Sequence, residues 1–319
     1  MFFLRSATGL QVRTPAKVNL YLELLARRAD GFHELETVMA AVDLFDTLHF
    51  QTREDSSISV ECRWATGQLN QVPASHEIPD VLGDLPPSPQ NLVTKALVLL
   101  QEATGCKRGA IVRLVKRIPS AAGLGGASSN AAAVLLAANE CWKLGLSLTE
   151  LSALAAQLGS DIPFFLRTGS LGSGLAVCRG RGEIIEPLKT KRPLQIVIVR
   201  PYAGLSTAKV FQQCELASQP KQVEPLLAAL QSGAINQIGS TLFNRLQQPA
   251  RQISSTIDQV AKEFEKLDVV AHQMSGSGTS YFGICKNVRH ARRVTSQLKS
   301  KQIGTVFQTQ SVGINTLCN

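Results

Sequence analysis

The chain has 319 residues and a formal net charge of +9, and apolar side chains make up 44% of it. This is enough apolar sequence to bury a sizeable core in one large or two medium domains, so intrinsic disorder is excluded. The basic balance favours anionic ligands such as nucleotides and is also compatible with nucleic acid. The densest basic cluster, residues 286–301, has helical spacing. We interpret it as a solvated helix face and expect no nucleic-acid partner.

The cysteines and the apolar runs bear on location. None of the seven cysteines forms a C-x-x-C pair, and no Cys/His cluster has the spacing of zinc ligands. We therefore expect reduced thiols and no zinc site. No run reaches the roughly 18 apolar residues of a membrane span, and the N-terminal apolar stretch is too short for a secretory signal. The expected location is the cytoplasm, without membrane attachment.

The N-terminal part of the chain is predicted to begin with strands. Four strands are expected, at residues 10–12, 18–25, 42–50 and 58–62. Asp30-Gly31 is a turn signal between the second and the third. Asn91 can cap a helix that ends at Gly105, and residues 110–117 alternate as a strand.

Two further helices are predicted after that strand. The first follows the glycine-rich stretch 119–129 directly and is rich in alanine. Ser147 and Glu150 form a capping box for the second, which runs through residue 158. Asp161-Ile-Pro163 is expected to interrupt the chain before the apolar residues 164–166.

A domain boundary is predicted within residues 168–193, which are rich in glycine and charge and include Gly180-Arg-Gly-Glu183. We divide the chain into residues 1–185 and 186–319. Strands are expected in the second part at residues 194–199, 269–274, 281–285 and 304–310. Helices are expected there at residues 206–217, 223–232, 249–267 and 288–298. Strands and helices interleave in both parts, so the fold class is mixed α and β.

The stretch 119–129, PSAAGLGGASS, is the main chemical signal, and we call it the first glycine loop. Its glycines lack Cβ atoms, so backbone N–H groups can approach an anion closely. The helix that begins near Ser128 adds free N–H groups and its positive dipole end. Ser128 and Ser129 supply hydroxyls for phosphate oxygens or for a metal ion. The loop matches neither a Walker A loop nor a dinucleotide fingerprint, and on local sequence alone a plain glycine turn is an equal alternative.

The first glycine loop resembles the ATP loop of the GHMP kinases, named for galacto-, homoserine, mevalonate and phosphomevalonate kinases. Residues 14–46, 158–166 and 274–282 are similar to other motifs of that family, in the same order along the chain. The resemblance implies an α+β fold of two domains: an N-terminal domain like domain 2 of ribosomal protein S5, and a ferredoxin-like C-terminal domain.

The N-terminal motif looks most like the branch of the family that acts in non-mevalonate isoprenoid precursor biosynthesis. That branch uses ATP to phosphorylate the 2-hydroxyl of 4-diphosphocytidyl-2-C-methyl-D-erythritol. The resemblance therefore implies ATP as co-substrate, Mg²⁺, and a small cytidine diphosphate compound as partner. The oligomeric state stays open.

The resemblance also implies the residues of the site. The catalytic pair would be Lys17 and Asp161. ATP would be bound by Pro119, Ser120, Ala121, Ala122, Gly123, Leu124, Gly125, Gly126, Ala127, Ser128 and Ser129. The substrate would be bound by Asn19, Phe32, His33, Thr207, Phe211, Gly276, Ser277 and Gly278. The metal ligands are unassigned.

The chemistry of alcohol phosphorylation explains the pair. A carboxylate near the nucleophile can accept the hydroxyl proton. A nearby lysine keeps that carboxylate ionised and stabilises the transferred charge. Whether Asp161 is a full general base stays open, because phosphoryl transfer depends mostly on positioning and electrostatics.

The chain departs from the family pattern at several positions. Ala121, Ala122 and Ala127 stand where glycine is common, so a positive φ at any of them would strain the loop. Phe32 stands where tyrosine is common, which removes one hydroxyl and keeps the stacking surface. The segment around Asn244 lacks two acidic residues of the pattern, and we interpret it as structural.

Two alternatives remain beside this interpretation. One is another GHMP kinase, acting on homoserine or a mevalonate derivative. Phe32, His33 and Phe211 argue for a base instead, although alone they would be interpreted as core and turn residues. The other is a catalytically inactive RNA-binding module with the S5-like fold, which would show salt-sensitive RNA affinity and no ATP turnover.

Overall fold

A computed structural model describes residues 1–6, 9–70, 72–171 and 174–312. The strands are β1 (Phe2–Ser6), β2 (Gly9–Arg27), β3 (His33–Arg53), β4 (Ile58–Trp64), β5 (Gly109–Lys116), β6 (Leu175–Gly180), β7 (Ile184–Leu188), β8 (Gln195–Arg200), β9 (Phe243–Asn244), β10 (Ala271–Met274), β11 (Tyr281–Cys285) and β12 (Thr305–Gln310). The helices are α1 (Thr66–Leu69), α2 (Ile78–Leu82), α3 (Leu92–Thr104), α4 (Gly126–Cys141), α5 (Leu148–Leu158), α6 (Ile162–Leu171), α7 (Thr207–Gln213), α8 (Glu224–Ser232), α9 (Ile235–Ser240), α10 (Gln247–Ile253), α11 (Ser255–Glu265) and α12 (Val288–Ser300), with a 3-10 turn at Ser88–Gln90.

The first sheet is built around the long β2–β3 hairpin. Its strand order is β1-β2-β3-β5-β4. In addition, β6 pairs with the N-terminal half of β3, β7 pairs with β6, and β9 pairs with β2. Residues 14–24 of β2 are buried without interruption. A strand reads this way when both of its faces are covered. The middle of β2 therefore lies at the centre of the molecule.

Helices α3 to α6 cover one face of this sheet. Asn91 accepts a hydrogen bond from the backbone of Val93 at the start of α3, and Gly105 ends that helix in a left-handed conformation. The capping box of Ser147 and Glu150 is present at the start of α5. These predicted helix boundaries are confirmed. The small side chains of α4 allow it to pack closely on the sheet, with residues Ala131 to Leu135 all buried.

The second sheet has the order β10-β11-β8-β12, and all of its neighbours are antiparallel. Its strands follow one another along the chain as β8, helices, β10, β11, α12 and β12. This is the β-α-β-β-α-β arrangement of a ferredoxin-like domain. The predicted α+β class is confirmed.

The structure corrects two expectations between residues 160 and 193. Pro163 does not interrupt a helix, because it lies in the first turn of α6, where backbone N–H groups have no acceptor within the helix. The predicted linker contains the β6–β7 hairpin, with Gly180 and Gly182 at positive φ in its turn. A boundary after residue 185 would cut β7. We therefore propose that the first domain extends through Leu188.

The predicted helix at residues 249–267 is two helices. Ser254 lies between α10 and α11, and its side chain accepts a hydrogen bond from the backbone of Ile257. A serine can cap a new helix as well as sit inside one, so helical periodicity alone did not distinguish the two.

The two domains share an apolar core. Val18 and Leu20 of β2 belong to the same buried cluster as Ile196 and Ile198 of β8 and Phe282 of β11. This shared packing fixes the position of the two sheets relative to each other, and so the shape of the cleft between them. Across the described ranges, no helix combines the length and the apolar character needed to cross a bilayer. The six described cysteines are free thiols, and Cys318 lies outside the described residues.

Candidate active site

A cavity of about 1090 Å³ lies between the two domains. Its wall contains all of the predicted site residues except Leu124 and Ser129, two buried residues of the first glycine loop. Residues that are up to 261 positions apart in sequence meet there, with Lys17 and Gly278 as the two extremes. The structure therefore brings the predicted residues together.

Lys17 and Asp161 face each other in this cavity. Lys17 Nζ lies 3.4 Å from Asp161 Oδ2 and donates a 2.7 Å hydrogen bond to Asn19 Oδ1. The Asn19 amide is itself fixed, because its Nδ2 donates to Thr37 Oγ1. The ammonium is thus buried and oriented by β2, while the Asp161 side chain stays 33% exposed at the start of α6. The Asp161 carboxyl group is therefore presented to the cavity.

The first glycine loop leads directly into α4. Gly123 and Gly125 have φ values of 72° and 68°, which side chains with a Cβ rarely adopt. The Leu124 carbonyl accepts a 2.9 Å hydrogen bond from the backbone of Lys17. Leu124 is therefore an anchor for the loop. Of the three alanines, only Ala121 takes a positive φ among the described residues, at 49°.

Two serines, Ser128 and Ser129, lie in the first turn of α4. Ser128 lies on the cavity wall. The Ser129 hydroxyl is buried and lacks a hydrogen-bond partner within the described part of the chain. Buried polar atoms normally have a partner, so an oxygen-rich ligand at this helix N-terminus would complete its bonding.

A second lysine–aspartate pair lies beneath the loop. Lys116 Nζ bonds to Asp46 Oδ2 and, at 2.9 Å, to Asn130 Oδ1. Asp46 also accepts hydrogen bonds from the backbones of Arg117 and Ile118, at 2.6 and 2.8 Å. This buried network joins β3, β5 and α4 under the loop. Sequence reasoning did not identify it.

The second glycine loop, residues 275–279, closes on the first. Ser275 Oγ donates a 2.9 Å hydrogen bond to the Gly123 carbonyl, and it accepts one of 3.3 Å from the backbone of Asn19. Asn244 Nδ2 donates to the carbonyls of Met274 and Gly276, both at 2.8 Å. The Asn244 segment thus has the structural role of holding this loop against the lysine and the first glycine loop.

The other end of the cavity is aromatic, and we call Phe32, His33, Thr207 and Phe211 the base end. The His33 and Phe211 rings lie 5.4 Å apart between centroids. Burial, assisted by the charge of Arg27, lowers the pKa of His33 below its ordinary value of 6.5. The imidazole is therefore neutral at pH 7, with one donor and one acceptor nitrogen. Its buried Nε2 has no partner among the described residues.

Several residues of the cavity wall were not predicted from the sequence, and two of them lie on one turn. Arg181 and Gly182 of the β6–β7 turn line the base end. The stretch Gly180-Arg-Gly-Glu183 was visible as an irregular, charged segment. A three-residue turn that contains glycine, between short strands, would have been the signal.

Two family profiles match the chain. The GHMP kinases N terminal domain matches residues 91–169, and the GHMP kinases C terminal domain matches residues 226–304. A protein of Pelotomaculum thermopropionicum named 4-diphosphocytidyl-2-C-methyl-D-erythritol kinase is 37% identical over 89% of this chain and 92% of its own length. A protein of the same name from Rhodopirellula baltica is 38% identical over 90% of both chains.

The chain belongs to the 4-diphosphocytidyl-2-C-methyl-D-erythritol kinase family of GHMP kinases. A crystal structure titled 4-(cytidine 5'-diphospho)-2C-methyl-D-erythritol kinase superposes on this GHMP kinase with a TM-score of 0.75. The two are 32% identical, and the match covers 95% of this chain and all of the other. A homoserine kinase from Cytophaga hutchinsonii, 18% identical with a TM-score of 0.71, shares the fold. The family and the two-domain GHMP kinase fold inferred from the sequence motifs are confirmed.

Proposed function

We propose that this GHMP kinase transfers the γ-phosphoryl group of ATP to the 2-hydroxyl of 4-diphosphocytidyl-2-C-methyl-D-erythritol, in non-mevalonate isoprenoid precursor biosynthesis. The observation that supports this most is the position of the Lys17–Asp161 pair. It lies in one cavity with a helix N-terminus fitted for phosphate and with an aromatic end fitted for a base.

The triphosphate would bind at the first glycine loop. Backbone N–H groups at the start of α4 and the positive end of its dipole attract negatively charged oxygens. The Ser128 hydroxyl adds a donor on the cavity wall. Gly126 lets the start of α4 pack closely on Ile118, since a Cβ there would lie 2.9 Å from the Ile118 side chain.

The cytidine would bind at the base end. The Phe211 and Phe32 rings offer apolar faces on which a pyrimidine can stack. The neutral His33 offers a donor and an acceptor for the polar edge of the base. The diphosphate would then extend toward the second glycine loop, where the Ser277 hydroxyl lies 2.8 Å from Thr207 Oγ1.

The chemical step would take place between these two ends. Asp161 would accept the proton of the attacking hydroxyl, and the oxygen would then bond to the γ-phosphorus as the bond to the β-γ bridging oxygen breaks. Lys17 would hold the carboxylate ionised and stabilise the charge on the transferred group. Asn19 would keep the ammonium in place through its 2.7 Å hydrogen bond.

Mg²⁺ fits this donor set as a companion of the nucleotide. In the described ranges, no group of three or more His, Cys, Asp or Glu side chains is arranged to hold a metal ion. Magnesium commonly uses one or two protein oxygens together with substrate phosphates. The Ser128 hydroxyl on the cavity wall and the unpartnered Ser129 hydroxyl are the groups that would serve. When bound, the ion neutralises phosphate charge.

The substrate assay tests the proposal. ADP release would be measured with the cytidylated alcohol, with mevalonate and with homoserine, each with ATP and Mg²⁺. We expect turnover with the first substrate only. Turnover restricted to mevalonate or homoserine would contradict the assignment. We place the reaction in the cytoplasm, where the free thiols of the described cysteines would stay reduced.

A further inference from the structure

The turn between β6 and β7 has no role in the reaction as described so far. Its residues Arg181 and Gly182 nevertheless lie on the cavity wall, beside Ser160 and Asp161. Gly182 approaches the α5–α6 connection closely, since a Cβ on it would lie 3.6 Å from the Ser160 side chain. The turn is therefore packed into the wall of the site.

Arg181 meets the ring of Phe32 there. Its guanidinium carbon lies 4.9 Å from the Phe32 ring centroid, within the range of a cation–π contact. The Phe32 side chain is 51% exposed, on the turn between β2 and β3. A half-exposed ring on a turn has little else to fix its orientation.

Other contacts hold the guanidinium in place. Arg181 Nη2 donates a 3.3 Å hydrogen bond to the Ala156 carbonyl in α5. Its Nε lies 3.9 Å from Glu183 Oε1. The Arg181 backbone N–H donates a 2.6 Å hydrogen bond to the same carboxylate, at Oε2. The cation therefore belongs to a fixed hairpin rather than to a freely moving side chain.

We propose that Arg181 is a positioning residue for substrate specificity, which holds the Phe32 ring in place to stack against the pyrimidine. The guanidinium covers one face of the ring and leaves the other for the base. Phe32 lacks a hydroxyl that could anchor its ring, and the hairpin supplies that anchor from outside. This inference rests on the proposed function, because it assumes that a pyrimidine binds at the base end.

The test compares four proteins: the wild type, Arg181→Ala, Phe32→Ala and the double variant. In Arg181→Ala we expect the KM for the cytidylated alcohol, and the Kd of cytidine diphosphate by calorimetry, to rise about two- to fivefold, the range of an exposed cation–π contact. The KM for ATP and kcat should stay unchanged. In the Phe32→Ala background, removal of Arg181 should have no further effect on either constant.

Arg179→Ala is the matched control. It removes an arginine from the same hairpin, but the Arg179 guanidinium bonds to Glu36 and Glu186, both at 2.8 Å. Its KM and Kd values should equal those of the wild type. A wild-type protein without turnover on the cytidylated alcohol would contradict the proposed function itself. With that turnover present, two results would overturn the positioning role. One is an equal rise in both Phe32 backgrounds, which would mean that Arg181 contacts the substrate directly. The other is tighter binding in Arg181→Ala, which would mean that it competes with the base.

Discussion

Two lysine–aspartate pairs lie within the same domain, and they are built for different tasks. Both lysine side chains are 5% exposed, so burial of the cation does not separate the pairs. The carboxylates do: Asp161 is 33% exposed and lies 3.4 Å from Lys17, whereas Asp46 is fully buried against Lys116. A carboxylate whose oxygens all accept hydrogen bonds within the protein stabilises the fold. One with an oxygen exposed to a cavity can accept a proton from a substrate.

The first glycine loop connects the two pairs. A Cβ on Gly125 would lie 3.0 Å from Lys17 Cγ, and one on the next residue, Gly126, would lie 3.1 Å from Lys116 Nζ. The Lys116–Asp46 pair thus supports the start of α4 from inside the protein, while the Lys17–Asp161 pair lies on its cavity side. The contrast can be tested by removing one charge from each.

The largest effect is expected from Asp161→Asn. Loss of the proton acceptor should lower kcat by about 10²- to 10⁴-fold, because the amide cannot take the hydroxyl proton. Steady-state kinetics measure this, and the Kd of ATP and the thermal midpoint should change little. Asp268→Asn, which alters an exposed carboxylate paired with Lys286 and Arg293, is the control and should keep wild-type kcat. A kcat unchanged in Asp161→Asn would remove Asp161 from the mechanism.

The opposite pattern is expected from Asp46→Asn. This change leaves the Lys116 ammonium buried without its counter-ion, which should lower the free energy of unfolding by about 3–5 kcal/mol. Urea denaturation measures the loss. Replacing both partners together, with Lys116→Met and Asp46→Leu, should recover part of it, because no uncompensated charge remains. A single variant as stable as the wild type would show that the buried pair does not support the fold.

A third ion pair, Glu23 with Arg245, is also structural, and its contribution to stability can be tested by changing the pH. Burial alone would raise the pKa of the Glu23 carboxyl, but hydrogen bonds from Arg245 and from the backbones of Lys221 and Leu24 outweigh it and hold the pKa below its ordinary 4.5. A lowered folded-state pKa stabilises the protein above the unfolded pKa, and that stability disappears as the pH falls through the folded value.

The free energy of unfolding of the wild type should therefore exceed that of Glu23→Gln near pH 6, and the difference should narrow below pH 4.5. Urea titrations from pH 6 to pH 3 measure it. Glu61→Gln is the control, because Glu61 is exposed and lies 3.9 Å from Arg113, and surface pairs contribute little. A difference that stays constant with pH would show that Glu23 is not held ionised.

The smallest effect is expected in the loop between the first two pairs. Ala121 has a φ of 49°, a conformation that costs an L-residue about 1–2 kcal/mol. In Ala121→Gly the relief of that strain should offset the added conformational entropy of the unfolded chain, so the free energy of unfolding should change little. Ala127→Gly, in the first turn of α4, should destabilise by about 0.5–1 kcal/mol. Equal losses in the two variants, measured by urea denaturation, would contradict strain at Ala121.

The two pairs also show what could be predicted from the sequence. Lys17 and Asp161 lie in stretches similar to ordered family motifs, so the resemblance predicted them as a pair, and the structure places them 3.4 Å apart. The residues predicted for the base end and most of those of the two glycine loops lie on the wall of the same cavity. Asp46 is the last residue of the similar stretch 14–46, but the resemblance gave it no role. Lys116 lies outside these motifs, at the end of a predicted strand, where a lysine is normally solvated. Their pairing depends on which strands lie side by side, and a single sequence does not show this.

The same limit explains the missed elements. The caps at Asn91 and Ser147 are local signals, and the structure confirms them. The β6–β7 hairpin depends on pairing with the distant β3, so its short strands resembled a linker. Arg181 was missed for the same reason.

The continuous burial of β2 has a consequence for how such an enzyme can diversify. The lysine lies in the middle of a strand whose register is fixed by its neighbours, whereas Phe32 and Arg181 lie on turns beyond the ends of strands. A turn can change its length or its residues while the strand keeps its register. Under the proposed roles of these residues, ligand preference can therefore change in one part of the protein while the geometry of phosphoryl transfer is kept in another.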